Sequence, residues 1–246
     1  MLEVTQLSKR YGGLRAIDGA SLSLSKDRIV ALIGPNGAGK TTLFAAISGF
    51  VKPDSGTVVF NGENITATPP HAISRKGLVR TFQITQPFMR LSVLENIMVG
   101  AYATTANRRL ARDKAVEIAS RVGMEHLLDM DSSGLTVAAR KRLELARALA
   151  TDPQLLLLDE VMAGLNPTEV AEIVEIVKKI QESGIGILLT EHVMQAVVAL
   201  ADDAYVLNNG RVIAHGALSV VMRDPAVIEA YLGEDTAHLD AGDAHA

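Results

Sequence analysis

The chain has 246 residues, and 24 Lys plus Arg against 28 Asp plus Glu give a net charge of −4, without the basic excess of a nucleic-acid-binding protein. Aromatic residues make up only 4%, which disfavours stacking on single strands, and the absence of Cys excludes disulfides and Cys-ligated zinc. No apolar run approaches the roughly 20 residues of a membrane-spanning helix and no apolar h-region follows the start, so we expect a soluble, cytosolic protein with a large core.

The first two predicted elements are half-buried strands at 2–8 and 20–25, where apolar and polar residues alternate. Residues 9–19 are predicted to connect them, and Tyr11 falls within this connection. The ring of Tyr11 could stack on a nucleotide base or lie on the sheet as an ordinary loop aromatic, and the residues alone favour neither.

The next segment, GPNGAGKTT, has the spacing of a phosphate-binding loop. Its glycines let backbone N–H groups point at an anion, Lys40 adds a charge for the β- and γ-phosphates, and the Thr41 hydroxyl suits Mg²⁺. A predicted strand at 28–33 enters the loop and a helix with Gly49 as its C-cap leaves it, so the helix N-terminus faces the phosphates. The sequence therefore predicts binding of a nucleoside triphosphate. The loop residues are Gly34, Pro35, Asn36, Gly37, Ala38, Gly39, Lys40, Thr41 and Thr42.

A second group of elements leads to Gln83. A turn at 53–56, a strand at 57–62 and a short helix from Pro70 precede a strand that is predicted to end at Gln83. A polar residue at the carboxyl end of such a strand lies where phosphate-loop sheets bind ligands, although an ordinary strand-terminal Gln also fits.

Residues 87–150 are predicted to form a mostly helical insertion. Ser92 to Glu95 is a capping box that opens one helix. A second helix at 107–122 carries an apolar stripe that includes Leu110.

A third helix is predicted at 135–150, where Arg140, Lys141 and Glu144 oppose the apolar residues. This charged face could touch phosphate, but a solvated helix surface is the commoner outcome for such runs.

The run LLLLDE predicts a buried strand that ends in two carboxylates, Asp159 and Glu160. In phosphate-loop enzymes the first acid helps to hold Mg²⁺, and the second can polarise a water for in-line attack. A long helix follows, since Asn166 is a good N-cap, Pro167 suits the first helical position and Glu169 the third.

The strand predicted at 184–190 brings His192 to the same edge of the sheet as the other strand-terminal residues. His192 could donate a hydrogen bond to a γ-phosphate or be a surface residue at a helix start. Asn209-Gly210 indicates a type I′ hairpin, and the chain ends in a short helix and a small polar tail at 236–246.

The phosphate loop, Gln83, LLLLDE and His192, in this order, make residues 1–233 resemble the ATP-binding subunit of an ABC transporter, especially of branched-chain amino acid importers. The resemblance implies that Tyr11 stacks on adenine, that Asp159 supports Mg²⁺ and that Glu160 is the general base. It also implies that His192 contacts the γ-phosphate. Gln83 would link Mg²⁺ and the attacking water to the helical sub-domain and the membrane partner.

One segment departs from the family pattern. The family signature, usually Leu-Ser-Gly-Gly-Gln, falls at 135–139, where Thr136 keeps a hydroxyl but Ala138 and Ala139 replace the usual glycine and glutamine. In the family this segment uses helix N-terminal N–H groups to cap the γ-phosphate bound by the opposite subunit. A methyl at Ala138 could hinder that approach. We therefore hypothesise two unequal composite ATP sites, with a different subunit supplying the better signature and a homodimer as the alternative.

The implied fold is an α/β phosphate-loop NTPase core, whose mixed, mainly parallel sheet is joined by N-terminal antiparallel strands and an inserted helical sub-domain. We expect one ABC ATPase domain over 1–246. Residues 1–86 and 151–220 would form the nucleotide-binding core, 87–150 the helical sub-domain, and 221–246 a C-terminal helix and flexible tail.

The implied function is ATP hydrolysis that powers an amino-acid importer, with ATP and Mg²⁺ as ligands. The implied partners are a second ATP-binding subunit, membrane permease subunits and, indirectly, a solute-binding protein, at the inner face of the cell membrane. Urea or amide importers and lipopolysaccharide exporters have similar ATPases. A soluble ABC ATPase acting on DNA or the ribosome is disfavoured by the single cassette and the charge of −4. Glu160 argues against a regulator with little turnover.

Overall fold

The computed structural model describes residues 1–81 and 87–231. The strands are β1 Leu2–Tyr11, β2 Leu14–Leu24, β3 Ile29–Ile33, β4 Ser55–Phe60, β5 Glu63–Asn64, β6 Leu78–Arg80, β7 Leu155–Asp159, β8 Gly186–Thr190, β9 Asp203–Asn208 and β10 Arg211–Ala217. The helices are α1 Lys40–Ile47, α2 Pro70–Arg75, α3 Val93–Ala101, α4 Arg108–Arg121, α5 Val137–Leu149, α6 Pro167–Glu182, α7 Met194–Leu200 and α8 Leu218–Val221, and residues 225–231 are also helical. Gln83 and the predicted tail lie outside the described residues.

Within the described residues the strands form two sheets. The N-terminal antiparallel sheet has the order β2-β1-β4-β5, and a second, six-stranded sheet has the order β10-β9-β3-β8-β7-β6. All neighbours in the second sheet are parallel except β10, which runs antiparallel to β9. This arrangement confirms the predicted fold.

The six-stranded sheet separates two hydrophobic cores. Val30 and Leu32 on one face of β3 pack with α1 and the antiparallel sheet, whereas Ala31 and Ile33 on the other face join the core shared with α3, α5, α6 and α7. Because β7 and β8 are buried along their whole length, their carboxyl ends are fixed at one edge of the sheet, where the phosphate loop also begins.

Several local predictions are confirmed by the structure. The capping boxes at the starts of α3 and α6 are both formed, with Ser92 accepting from the Glu95 amide and Asn166 from the Glu169 amide. The Asn209-Gly210 turn has φ values of 47° and 79°, as a type I′ hairpin requires.

The predicted connection at 9–19 is wrong. β1 continues to Tyr11 and β2 begins at Leu14, so only Gly12 and Gly13 form the turn. Several register shifts interrupt the β1–β2 pairing, and such irregularities break the two-residue alternation by which a strand is predicted. Tyr11 is consequently the last residue of a strand.

The helical region differs from prediction in two respects. Leu110 is 55% exposed and does not join the buried stripe of α4. Lys141 and Glu144 on α5 are only 5% and 9% exposed, so this face is buried where a solvated surface was expected. In the described ranges, no helix combines the length and apolar character needed to cross a bilayer.

Candidate active site

The phosphate loop joins β3 to α1 in a conformation that only glycine adopts easily. Gly34 has φ 146°, and a Cβ there would lie 2.0 Å from the Leu207 carbonyl oxygen. Gly39 has φ 105°, and a Cβ there would lie 2.2 Å from the Ala16 carbonyl oxygen. A side chain at either position would therefore collide with backbone that cannot rotate away.

Lys40, the first residue of α1, is folded into this loop. Its Nζ donates to the carbonyl oxygens of Gly34 at 2.6 Å and Pro35 at 2.8 Å, and the residue is only 6% exposed. Carbonyl acceptors satisfy the charge in a buried position. The ammonium is thus held at the N-terminus of a helix, where phosphate oxygens could take over the same donors.

A cavity of about 520 Å³ lies between this loop and the ends of the strands. It brings together Tyr11, the phosphate loop, Glu160 and His192, which are far apart in the sequence. A cavity of this size suits a nucleotide-sized ligand. Its lining residues are Tyr11, Leu14, Arg15, Ala16, Asn36, Gly37, Ala38, Gly39, Lys40, Thr41, Thr42, Glu160, His192 and Asn209.

Tyr11 lies at the mouth of the cavity and is 49% exposed. The Lys9 Nζ lies 5.5 Å from the centroid of its ring, within cation–π range. An exposed ring beside a phosphate loop can stack on a base, which is the role implied by the resemblance.

Glu160 stands on a strained turn directly after β7. Its φ of 49° is unusual for a residue with a side chain. Its amide donates to the Thr190 carbonyl at 3.0 Å, and its own carbonyl accepts from the Lys141 Nζ at 3.1 Å. The carboxylate Oε1 lies 2.8 Å from the Nε2 of His192. The turn thus directs the carboxylate into the cavity beside an imidazole.

Asp159 lies beneath the cavity rather than on its wall, and it is 2% exposed. One carboxylate oxygen accepts from the Arg80 guanidinium at 2.6 Å and the other from the Thr190 hydroxyl at 2.8 Å. The guanidinium carbon of Arg80 also lies 5.9 Å from the ring centroids of Phe44 and Phe50. Asp159 is therefore half of a buried ion pair next to the strand end.

The residues predicted to hold Mg²⁺ have the chemistry for it. Mg²⁺ prefers oxygen ligands and combines one or two protein carboxylates with substrate phosphates and water. Thr41 lines the cavity, and Asp159 ends the strand that leads to it. This oxygen donor set fits the ion, whereas Gln83, the third predicted ligand, lies outside the described residues.

Glu191, which directly precedes His192, is a buried acid that the sequence reasoning missed. It is 3% exposed, and its Oε1 accepts from the Met162 amide at 2.9 Å. Burial is the main cause that raises the pKa of Glu191; the Met162 hydrogen bond lowers it and the charge of Glu160 raises it, and the net result is a pKa of about 7.

The segment 135–139 is not part of the cavity: none of its residues, all of them described, lines the wall. Thr136 caps α5 by accepting from the Ala139 amide at 3.3 Å. Ala138 is only 7% exposed, whereas Val137 is 55% exposed. The methyl of Ala138 is therefore largely covered by this chain, and its expected effect on a partner's nucleotide stays a prediction.

Most of the residues that support the site do not belong to a sequence motif that identifies the site. Glu191 lies at the strand-end position that drew attention to His192, so the same reasoning extended by one residue would have found it. Asn209 was found as a turn residue, and nothing in the sequence places that turn beside the phosphate loop. Arg80 and Lys141 reach the site through contacts between segments 79 and 19 residues apart, which local patterns do not encode.

Comparison with known proteins gives consistent matches. A family model described as "ABC transporter" matches residues 17–163, and one described as "Branched-chain amino acid ATP-binding cassette transporter" matches residues 211–237. The chain is 38% identical to the high-affinity branched-chain amino acid transport ATP-binding protein BraF of Pseudomonas aeruginosa, with 95% of this chain and 98% of BraF covered. It is 37% identical, with the same coverage, to the lipopolysaccharide export system ATP-binding protein LptB of Escherichia coli.

A solved structure gives the same picture for the fold. The ADP conformation of an ATP-binding cassette of an ABC transporter superposes with a TM-score of 0.86 at 34% identity, covering 95% of this chain and 98% of that one.

Proposed function

Because this chain belongs to the ABC transporter family, as an ATP-binding and ATP-hydrolysing subunit, we propose that it powers an importer of branched-chain amino acids. The observation that carries its chemistry is the cavity in which the phosphate loop, Glu160 and His192 meet. A phosphate cradle with a carboxylate and an imidazole at the far end has the parts of a site for in-line attack on a terminal phosphate.

The binding half of the reaction rests on the phosphate loop. Backbone N–H groups of the loop and the N-terminus of α1 attract the triphosphate, and Lys40 exchanges its two carbonyl acceptors for phosphate oxygens. Tyr11 stacks on the adenine at the open end of the cavity. These contacts fix the nucleotide before any chemistry occurs.

The hydrolytic half rests on Glu160 and His192. Glu160 orients a water for in-line attack on the γ-phosphorus and accepts its proton. His192, which pairs with Glu160 at 2.8 Å, turns its Nε2 towards a γ-phosphate oxygen when nucleotide is present. That exchange would free the carboxylate at the moment when a base is needed.

Thr41 and Asp159 would hold Mg²⁺, the first from the cavity wall and the second from the end of β7. When bound, the ion neutralises charge on the β- and γ-phosphates. The Arg80 guanidinium and the Thr190 hydroxyl hold the two oxygens of the Asp159 carboxylate in place at the end of the strand.

The partner half of the site would come from another ATP-binding subunit, because no residue of the segment 135–139 lines this chain's own cavity. Thr136 and the N-terminus of α5 would then cap the nucleotide held by that subunit. Permease subunits would bind the pair at the inner face of the membrane, with Gln83 at their contact.

The cargo proposal rests on relatives named for branched-chain amino acid transport and on the match at residues 211–237. Lipopolysaccharide export is the second candidate, because LptB is nearly as similar over nearly the same length. Both candidates share the chemistry above and differ in the membrane partner and therefore in the cargo.

Uptake of labelled leucine distinguishes the two. Cells in which the only copy of this protein carries Glu160→Gln should lose high-affinity leucine uptake. In wild-type cells, unlabelled valine but not urea should compete with labelled leucine for uptake. Unchanged leucine uptake together with loss of surface lipopolysaccharide would contradict the importer and support the exporter.

A further inference from the structure

The strained turn at Glu160 is held by two buried side chains that take no part in the chemistry proposed above. Lys141 on α5 donates to the Glu160 carbonyl at 3.1 Å, and Glu191 after β8 accepts from the Met162 amide at 2.9 Å. A left-handed conformation at a non-glycine residue is strained and persists only where its surroundings enforce it. The turn therefore depends on contacts from both sides.

Glu191 is unusual among these contacts because an ionisable group has been buried with one oxygen unused. Its Oε1 holds the Met162 amide, whereas its Oε2 is buried and makes no hydrogen bond with any residue in the described ranges. Buried charges ordinarily have both oxygens satisfied. A carboxyl group that uses one oxygen as an acceptor and hides the other fits the protonated form better than the ionised one.

We propose that Glu191 is a positioning residue for ATP hydrolysis, which as a neutral acid holds the Met162 amide and thereby keeps Glu160 at the cavity wall. The inference rests on the proposed role of Glu160. The site would then contain two acids with different roles. Glu160 faces the nucleotide, whereas Glu191 lies on the other side of the turn and holds the Met162 amide.

The charges around Glu191 explain why the neutral form is useful. The groups that act on the pKa of Glu191 are the Met162 amide, Glu160 on the turn, Lys141 on α5 and the amide of the adjacent His192, which does not make a hydrogen bond to the buried Oε2. A second negative charge behind Glu160 would repel both that carboxylate and a bound triphosphate. Burial and the charge of Glu160 raise the pKa of Glu191 to about 7, so a large share of the protein carries this proton near neutral pH.

Two variants of the full-length chain separate the acceptor from the charge. Glu191→Gln keeps an acceptor for the Met162 amide without any charge, and Glu191→Leu keeps the bulk without the acceptor. We expect Glu191→Gln to retain kcat within about 2-fold of wild type. Glu191→Leu should lower kcat by about 10-fold or more, because the turn that carries Glu160 is displaced. KM for ATP should change by less than about 3-fold, because the phosphate loop stays in place.

The proton on the Glu191 carboxyl group can also be detected without an activity measurement, through the pH dependence of thermal stability. A carboxyl group whose pKa lies at about 7 in the folded protein and at the ordinary 4.5 when unfolded stabilises the fold fully below pH 4.5 and loses that stabilisation as the pH rises through 7. Thermal unfolding should therefore show Glu191→Gln gaining Tm relative to wild type between pH 5 and pH 8. This measurement needs only the Gln variant, so it holds even where the Leu variant does not fold.

The inference is overturned if Glu191→Gln loses as much kcat as Glu191→Leu, if Glu191→Leu hydrolyses ATP like wild type, or if the Tm difference is constant with pH. Glu160→Gln serves as the reference. Hydrolysis by wild type that Glu160→Gln does not reduce would defeat the proposed role of Glu160, whereas a normal Glu160→Gln defect with unaffected Glu191 variants defeats only this inference.

Discussion

The phosphate loop and the segment 135–139 are both helix N-termini suited to phosphate, yet only the phosphate loop lines this chain's cavity. The loop opens into a cavity together with Tyr11, Glu160 and His192, and its Lys40 is buried and satisfied. The segment 135–139 lies outside that cavity, and Val137, the first residue of α5, is 55% exposed. This chain's own cavity contains the first of these helix N-termini, and we expect the second to serve a neighbouring subunit.

This difference teaches that motifs present in one chain do not all come together in one nucleotide site. Most of the proposed chemistry lies at strand ends that the fold fixes, whereas we expect the capping segment to contribute only when a second subunit approaches. We therefore expect variants in the two regions to differ: those in the first region change ATP binding by the isolated chain or strongly lower its stability, whereas those in segment 135–139 leave its ATP binding unchanged and lower its stability only modestly.

The largest effect on stability is expected from a variant that breaks the buried ion pair beneath the phosphate-loop cavity. Arg80→Met leaves the Asp159 carboxylate buried with one oxygen deprived of its partner, and breaking a buried pair in this way costs about 3–5 kcal/mol. Urea unfolding of the nucleotide-free chain measures the loss. The double variant Arg80→Met with Asp159→Asn should recover part of it, and strictly additive effects would contradict a direct pair.

Lys40→Met should weaken ATP binding without unfolding the chain. Charge-assisted hydrogen bonds to two phosphates contribute about 3 kcal/mol, so Kd should rise by roughly 100-fold. Titration calorimetry checks this, with Lys52→Met as the control, because Lys52 is exposed and does not line the cavity. An unchanged Kd for Lys40→Met would place the nucleotide elsewhere.

Thr136→Ala should have a modest effect on stability and a separate effect in the complex. Loss of the N-cap of α5 costs about 1 kcal/mol, whereas Thr136→Ser keeps the acceptor and should cost little. Chemical unfolding measures both variants. ATP binding by the isolated chain should not change, and a loss there would mean that this segment reaches the chain's own nucleotide.

The smallest effect is expected from Ala138→Gly. Removing a methyl that is packed inside this chain should lower stability by less than about 1 kcal/mol and leave the turnover of the assembled complex unchanged. A clear rise in turnover would instead support the hypothesis that glycine is needed there to approach the partner's nucleotide.

The sequence predicts those parts of the molecule whose causes are local. GPNGAGKTT, the capping box at Asn166 and the turn at Asn209-Gly210 each specify a backbone conformation by themselves, and the structure confirms the conformations. The buried strand 155–159 follows from its unbroken apolar run in the same way.

What the sequence could not supply are contacts made across the fold. The end of β1 at Tyr11 is hidden by irregular pairing, and the burial of Lys141 depends on a carbonyl 19 residues away. The Arg80–Asp159 pair and the buried Glu191 likewise exist only once β6, β7 and β8 lie side by side. These residues support the motifs without belonging to any of them.

The central claim is that Glu160, on its strained turn, is the base for hydrolysis in the cavity built by this chain. Glu160→Gln removes the base and preserves the shape, so at saturating ATP the hydrolysis rate should fall by about 100-fold or more while Kd for ATP stays within a few-fold. Glu182→Gln, an exposed acid at the end of α6, should behave like wild type. A Glu160→Gln protein that hydrolyses ATP within a few-fold of the wild-type rate would contradict the account.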